Sequence, residues 1–116
     1  METLDTAKVQ EALNEYANQD VYVHLETTNG AYAAHNNESK MNVGAYIRNA
    51  KICYVRGVLA GTGPYRVGLK MENGWVYAEG LTDWEIDNQH RLLLAGHDDL
   101  GRLAVTLEIS PTPFKM

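Results

Sequence analysis

Two periodicities divide this chain. Near the start, Val9, Leu13 and Tyr16 recur at i, i+4 and i+7, with Ala12 filling the same stripe. That spacing predicts a one-sided helix within residues 1–18. Asp5 suits its N-cap, and Leu4 before it is placed to staple onto Val9. Beyond Asn18 the period becomes two. Val21, Val23 and Leu25 alternate with Tyr22, His24 and Glu26. Met41, Val43, Ala45 and Ile47 alternate with Asn42, Gly44, Tyr46 and Arg48. Tyr65, Val67, Leu69 and Met71 alternate with Arg66, Gly68 and Lys70, and Leu103, Val105, Leu107 and Ile109 with Ala104, Thr106 and Glu108. Each run reads as a strand with one buried and one wet face. Further strands are expected at Lys51–Leu59, Trp75–Gly80, Thr82–Ile86 and Arg91–His97, with Gly57 marking a bulge.

Turn chemistry separates these runs. Asn29-Gly30 and Asn73-Gly74 are strong hairpin signals, because a type I′ turn needs positive φ at both central residues. Asp98-Asp99-Leu100-Gly101 suits a longer hairpin loop and Gly61-Thr62-Gly63-Pro64 a tight connection, while Pro111 and Pro113 leave residues 110–116 as a short tail. Many short strands, hairpin connections and little helix predict a mainly β fold. The expectation is an antiparallel β-barrel-like or sandwich domain with one N-terminal α-helix. No repeat, linker or low-complexity segment interrupts the 116 residues, so a single domain, 1–116, is expected.

Composition narrows the function classes. No apolar run approaches the ~18–20 residues that span a bilayer, so no membrane partner is expected. The acidic start, Met1 to Asp5, lacks the layout of a secretory signal. Cys53 is the only cysteine and can form no internal disulfide, which suits a reducing compartment. A cytoplasmic location follows as the expectation. Within an apolar strand such a cysteine reads as a small hydrophobe, not a reactive thiol. A pI near 5.2 argues against nucleic acid as a partner.

The four stretches "MNVGAYIRNAKI" (Met41 to Ile52), "GPYRVGLK" (Gly63 to Lys70), "WVYAEGLT" (Trp75 to Thr82) and "RLLLAGH" (Arg91 to His97) resemble the YojF-like proteins of Bacillus and relatives. The resemblance runs from about Val21 to Ile109. It implies a small uncharacterised cytoplasmic protein with a β-barrel-like fold. It also implies a link to bacillithiol metabolism, since the gene in that family often lies beside a deacetylase of bacillithiol biosynthesis. It supplies no site residues.

Charge is unevenly spread. From Ser39 to Met71 there is no Asp or Glu, yet Lys40, Arg48, Lys51, Arg56, Arg66 and Lys70 fall there. The net charge is −5, so the remaining residues, with four Lys/Arg and fifteen Asp/Glu, sum to −11. Such polarity predicts a cationic surface carrying Arg48, Arg56, Arg66 and Lys70, set against the plainer explanation that strands are poor in acids. The Asn73-Gly74 hairpin would place Met71 opposite Val76 and Leu69 opposite Ala78 on a core side. Its other side would join Lys70 to Tyr77 and Glu72 to Trp75, an aromatic and cationic face for ligand stacking, a partner or a homodimer. That face is expected to be buried, under the first helix or in a two-fold interface.

The Asn29-Gly30 register would set His24 opposite His35 with Glu26 beside them, a set of ligand types that suits zinc or another divalent metal. An uncoordinated surface histidine pair is the plainer alternative. The Gly61 to Arg66 run lacks the following helix that a phosphate loop needs. Ser39 and Ser110 are the only serines, neither in a nucleophile elbow. The leading expectation is a non-catalytic binding or accessory protein for an anionic small molecule or a partner enzyme. The rival is a small metal-dependent enzyme centred on His24, Glu26 and His35. The sequence specifies no cofactor.

Overall fold

The computed structural model describes residues 1–28 and 43–116. The chain opens with a two-residue strand, β1 (Glu2–Thr3), and helix α1 (Thr6–Tyr16), then runs through β2 (Val21–Thr28), β3 (Gly44–Ile52), β4 (Arg56–Ala60), β5 (Tyr65–Met71), β6 (Gly74–Leu81), β7 (Asp83–Ile86), β8 (Leu92–His97) and β9 (Leu103–Ser110). All pairings among the described strands are antiparallel. They form a six-stranded sheet in the order β1-β7-β8-β9-β2-β3 and a three-stranded sheet β4-β5-β6. Neither sheet closes on itself. The architecture is a sandwich-like packing of two sheets, and of the two expected forms the barrel is not the one adopted.

The helix forms where the apolar stripe placed it. Asp5 caps it, accepting from the Lys8 N–H at 3.1 Å. Val9, Ala12, Leu13 and Tyr16 are buried, as is Leu4 just before the cap. The helix stops at Tyr16, and Asn18 takes a left-handed φ of 64° as the chain turns into β2. The stripe enters one core with Val21 and Val23 of β2, Val67 and Leu69 of β5, Leu92 and Leu94 of β8, and Leu107 and Ile109 of β9. Inward positions alternate as the period-two pattern required.

Helix α1 lies against β4. Gly57 pairs with Leu69 in a regular ladder, so the bulge expected there is absent. Gly57 instead permits close approach: a Cβ would sit 3.0 Å from the Tyr54 ring and 3.2 Å from Leu13 Cβ. Tyr54 is fully buried and donates its hydroxyl to the Leu13 carbonyl at 2.6 Å. From the helix, Gln10 donates to the Gly57 carbonyl (2.8 Å) and accepts from the Leu59 N–H (3.0 Å). Its amide thus supplies the hydrogen bonds a further strand would make, and protects the outer edge of the three-stranded sheet.

Three other expectations need correction. Residues 51–59 do not form one strand: β3 ends at Ile52, the chain crosses between sheets at Cys53–Val55, and β4 begins at Arg56. Val43, just before β3, and Ile47 within it, expected on a buried face, are each 48% exposed; among the described strands β3 is the outermost of its sheet. The second hairpin turns at Glu72-Asn73, with Met71 opposite Gly74, and neither Asn73 nor Gly74 takes positive φ. From Arg66 to Met71 the partner of each β5 residue therefore moves by two positions along β6, which leaves these side chains on the face the sequence assigned.

Gly80 (φ +90°) is the extra residue of a bulge near the end of β6, between Glu79 opposite Arg66 and Leu81 opposite Tyr65. Gly96 of β8 lies directly beneath, where a Cβ would fall 2.0 Å from the Gly80 carbonyl oxygen. No helix among the described residues is long and apolar enough to cross a membrane.

Candidate functional site

The outer face of the three-stranded sheet is a grid set by the ladder. Its first row is Arg56, Lys70 and Trp75, its second Val58, Gly68 and Tyr77, and its third Ala60, Arg66 and Glu79. Residues two apart on a strand share a face, so all nine point away from the core. Trp75 is 44% and Tyr77 50% exposed. Helix α1 packs on the other side of this sheet, which corrects the expectation that it might cover the aromatic pair.

Gly68 stands at the centre of the grid. A Cβ there would lie 2.8 Å from Tyr77 Cε1 and 3.3 Å from Trp75 Cζ3, so both rings lean across this glycine. The rings are stacked on one another, centroids 5.3 Å apart and planes within 8°. Arg66 lies over the Tyr77 ring at 5.4 Å and the Lys70 ammonium over the Trp75 ring at 6.0 Å. The four side chains make a column in the order Arg66, Tyr77, Trp75, Lys70. Cation–π attraction to the ring faces holds its two ends. Beside the column, above Val58 and Ala60, is a depression of about 240 Å³ with Arg56 and Arg66 at its margins.

The two arginines of this face differ from the other arginines in their pairing. Arg48, Arg91 and Arg102 sit on the carboxylates of Glu26, Asp87 and Asp98. Among the described residues, no carboxylate lies within ion-pair distance of Arg56, Arg66 or Lys70. Arg48 does not join them, which corrects the expectation that all four converge. It belongs to β3 in the other sheet, 3.4 Å from Glu26 and 4.9 Å from the Tyr46 ring centroid.

His24 and Glu26 are engaged otherwise than a metal site would need. Both edges of β2 are hydrogen-bonded, to β3 and β9, and the residue opposite His24 on β9 is Glu108. His24 Nδ1 accepts from the Asn49 N–H at 2.9 Å, and its ring stacks on Phe114 with centroids 3.7 Å apart. Burial is the largest influence on its pKa, which is held below the ordinary histidine value. Glu26 faces Arg48. His35 and the Asn29-Gly30 turn lie outside the described residues, and among those described no three His, Cys, Asp or Glu side chains are placed to share a metal. His97 contacts Asp83 at 3.1 Å, and the His90 carbonyl accepts from the Tyr16 hydroxyl.

A larger hollow of about 430 Å³ lies between the N-terminus and β7. Its charges are mixed, with Lys8 near Glu2 and the N-terminal ammonium 3.5 Å from Glu85, so it exerts no one-signed field. The face of β4-β5-β6 is the better candidate. Charge and aromatic content flagged five of its residues in the sequence. Val58, Ala60 and Gly68 were missed, because each matters only for its small size beside larger neighbours across the ladder.

Comparison with known proteins agrees with this architecture. The family model described as Protein of unknown function (DUF1806) matches residues 3–114. The uncharacterized protein YojF of Bacillus subtilis (strain 168) is 54% identical over 114 residues, covering 98% of each chain. The crystal structure of the Bacillus subtilis YojF protein superposes with a TM-score of 0.83 and 47% identity, covering 99% of this chain and 97% of that one.

Proposed function

We propose, from the premise that this chain belongs to the DUF1806 family of proteins of unknown function, that it is a non-catalytic binding or accessory protein. Its working surface is the outer face of β4-β5-β6, and it takes an anionic small molecule or an acidic segment of a partner enzyme. One observation carries this reading: Arg56, Arg66 and Lys70 share an exposed face without carboxylate partners among the described residues, in a protein whose other arginines are paired. Three cations against the single carboxylate of Glu79 leave this face net positive, which has an electrostatic cost that a bound anion lowers. Exposed guanidinium groups add little to stability but much to the capture and orientation of carboxylates and phosphates. A cytoplasmic setting and the link to bacillithiol metabolism implied by the family resemblance belong to the same reading. Nucleic acid and membrane are not among the partners it names.

Trp75 makes the test direct, since it is exposed on this face whereas Trp84 is buried. Titration of the protein at low ionic strength with succinate, inorganic phosphate and benzoate, followed by tryptophan fluorescence and calorimetry, should show saturable binding. Binding should weaken with added salt and be lost in the Arg56→Gln/Arg66→Gln double variant while the circular dichroism spectrum is retained. Absence of binding by all three anions sinks the small-molecule form, and co-purification from the native organism then tests the partner enzyme. If light scattering shows a dimer at ~100 μM that Tyr77→Glu dissociates, the face belongs instead to a second copy of the chain.

A further inference from the structure

Resting on the anion-binding reading above, we infer that the ligand is an elongated dianion with a slim apolar body. It lies along β4, bridging Arg56 and Arg66, and does not stack on the aromatic pair. The aromatic faces are already taken. Trp75 and Tyr77 cover each other, Arg66 lies over the outer side of one ring and Lys70 over the other. A planar ligand would have to break this column to enter it. A cation over a ring still presents its N–H donors in the guanidinium plane, so Arg66 can hold a carboxylate while packed on Tyr77.

What stays open is the depression beside the column. Arg56 and Arg66 both line it, yet they lie on opposite rows of the grid, four positions apart along the ladder. At ~3.4 Å per residue their Cα atoms are separated by ~13 Å along the strands, and Arg66 is held on the Tyr77 ring, so a ligand with an acid at each end engages both arginines without drawing Arg66 off that ring. Between them Val58, Ala60 and the bare backbone of Gly68 offer small apolar surface with no polar side chain to satisfy. The edges of the two rings form the adjoining wall, and ring edges carry the positive end of the quadrupole, which tolerates a nearby anion. A chain of methylene groups with an acid at each end matches every part of this surface.

The experiment is a calorimetric series of linear α,ω-dicarboxylates from succinate to suberate, with hexanoate as the matched monoacid and 1-naphthoate as the stacking probe. Affinity should pass through an optimum with chain length, the best diacid binding about tenfold or more tightly than hexanoate, a difference readily resolved. Arg56→Gln and Arg66→Gln should each reduce the best diacid to the level of hexanoate, and Lys70→Gln should change its affinity less than twofold. If 1-naphthoate binds as tightly as the best diacid, or chain length has no effect, the inference is overturned while the anion-binding reading stands. If no carboxylate binds to folded protein, the inference falls together with the small-carboxylate form of the anion-binding reading, and the partner-enzyme form is left to the co-purification test.

Discussion

Asn49 and Phe114 exchange two hydrogen bonds. Asn49 Nδ2 donates to the Phe114 carbonyl at 2.9 Å, and the Phe114 N–H donates to Asn49 Oδ1 at 2.8 Å. The side-chain amide thereby stands in for a strand backbone and ties the C-terminal tail to β3. Asn49 itself takes a left-handed φ of 56°, at the point where β2 and β3 shift register between Val23 and Leu25. The same bulge turns its N–H towards His24, whose ring lies flat on Phe114, and Arg91 lies over Phe114 at 5.6 Å. Gln10 does the same for the edge of β4. In both places a primary amide supplies a donor and an acceptor to backbone groups of another segment.

Asn49→Ala removes both tail bonds and places a Cβ-bearing residue without asparagine's local hydrogen bonding in the left-handed region. A loss on the order of 2–3 kcal/mol is expected from two hydrogen bonds plus backbone strain. Asn49→Gly relieves the strain but not the bonds and should fall between wild type and Asn49→Ala. Urea unfolding midpoints of the three proteins check this order; equal midpoints would show that the tail clamp is energetically idle.

The clamp also makes stability depend on pH. Burial holds the His24 pKa below its ordinary value, so the unfolded chain takes up this proton more readily than the folded one. The contribution is complete above the unfolded value of ~6.5 and declines as pH falls from there through the folded value, at no more than ~1.4 kcal/mol per pH unit. Protonation also puts an N–H on Nδ1, which then confronts the Asn49 N–H. Thermal melts between pH 7.5 and 5 should show His24→Gln losing less stability on acidification than wild type.

Gln10→Ala should uncover the Gly57 carbonyl and the Leu59 N–H, at a cost of ~1–2 kcal/mol for two part-buried hydrogen bonds. Amide hydrogen exchange gives a sharper readout than global unfolding. The Leu59 amide should lose protection selectively, and unchanged protection there would mean that the edge is closed by something else.

Two glycine variants separate close approach from turn chemistry. Gly96→Ala would force a Cβ to within 2.0 Å of the Gly80 carbonyl oxygen, backbone that cannot step aside without moving the junction of the two sheets. A loss of more than ~3 kcal/mol or failure to accumulate as folded protein is expected. At Gly74 a Cβ meets nothing within 4 Å and φ is not positive, so Gly74→Ala should stay within ~0.5 kcal/mol of wild type. Side-by-side thermal melts decide the pair.

Local chemistry was readable where one residue and its near neighbours settle the outcome. Asp5 capped the helix, Val9, Leu13 and Tyr16 formed its buried stripe, and Val67, Leu69, Val105, Leu107 and Ile109 faced inward because alternation leaves a strand one choice of face. The Asp98 loop turned as expected: Asp98 accepts from the Leu100 and Arg102 N–H groups at 2.9 Å, and the Arg102 bonds lead in holding its carboxyl below the usual range. The candidate site was half legible. Arg56, Arg66, Lys70, Trp75 and Tyr77 stood out by type. Their shared face survived an error in hairpin register because the error was two residues, and a strand repeats its faces every two.

What the sequence determined by itself was therefore periodicity, caps and side-chain chemistry, all set within a few residues. Only the tertiary structure decided which strands became neighbours. It left β3 outermost among the described strands, with Val43 and Ile47 exposed, and sent Arg48 to a different sheet from Arg56 across the short crossing at Cys53–Val55. It also made His24 a tail anchor, because Asn49 and Phe114 are 65 residues apart in the chain and meet only when the sheets form. Contacts of that kind depend on the packing free energy of the whole core, which no local run of residues encodes.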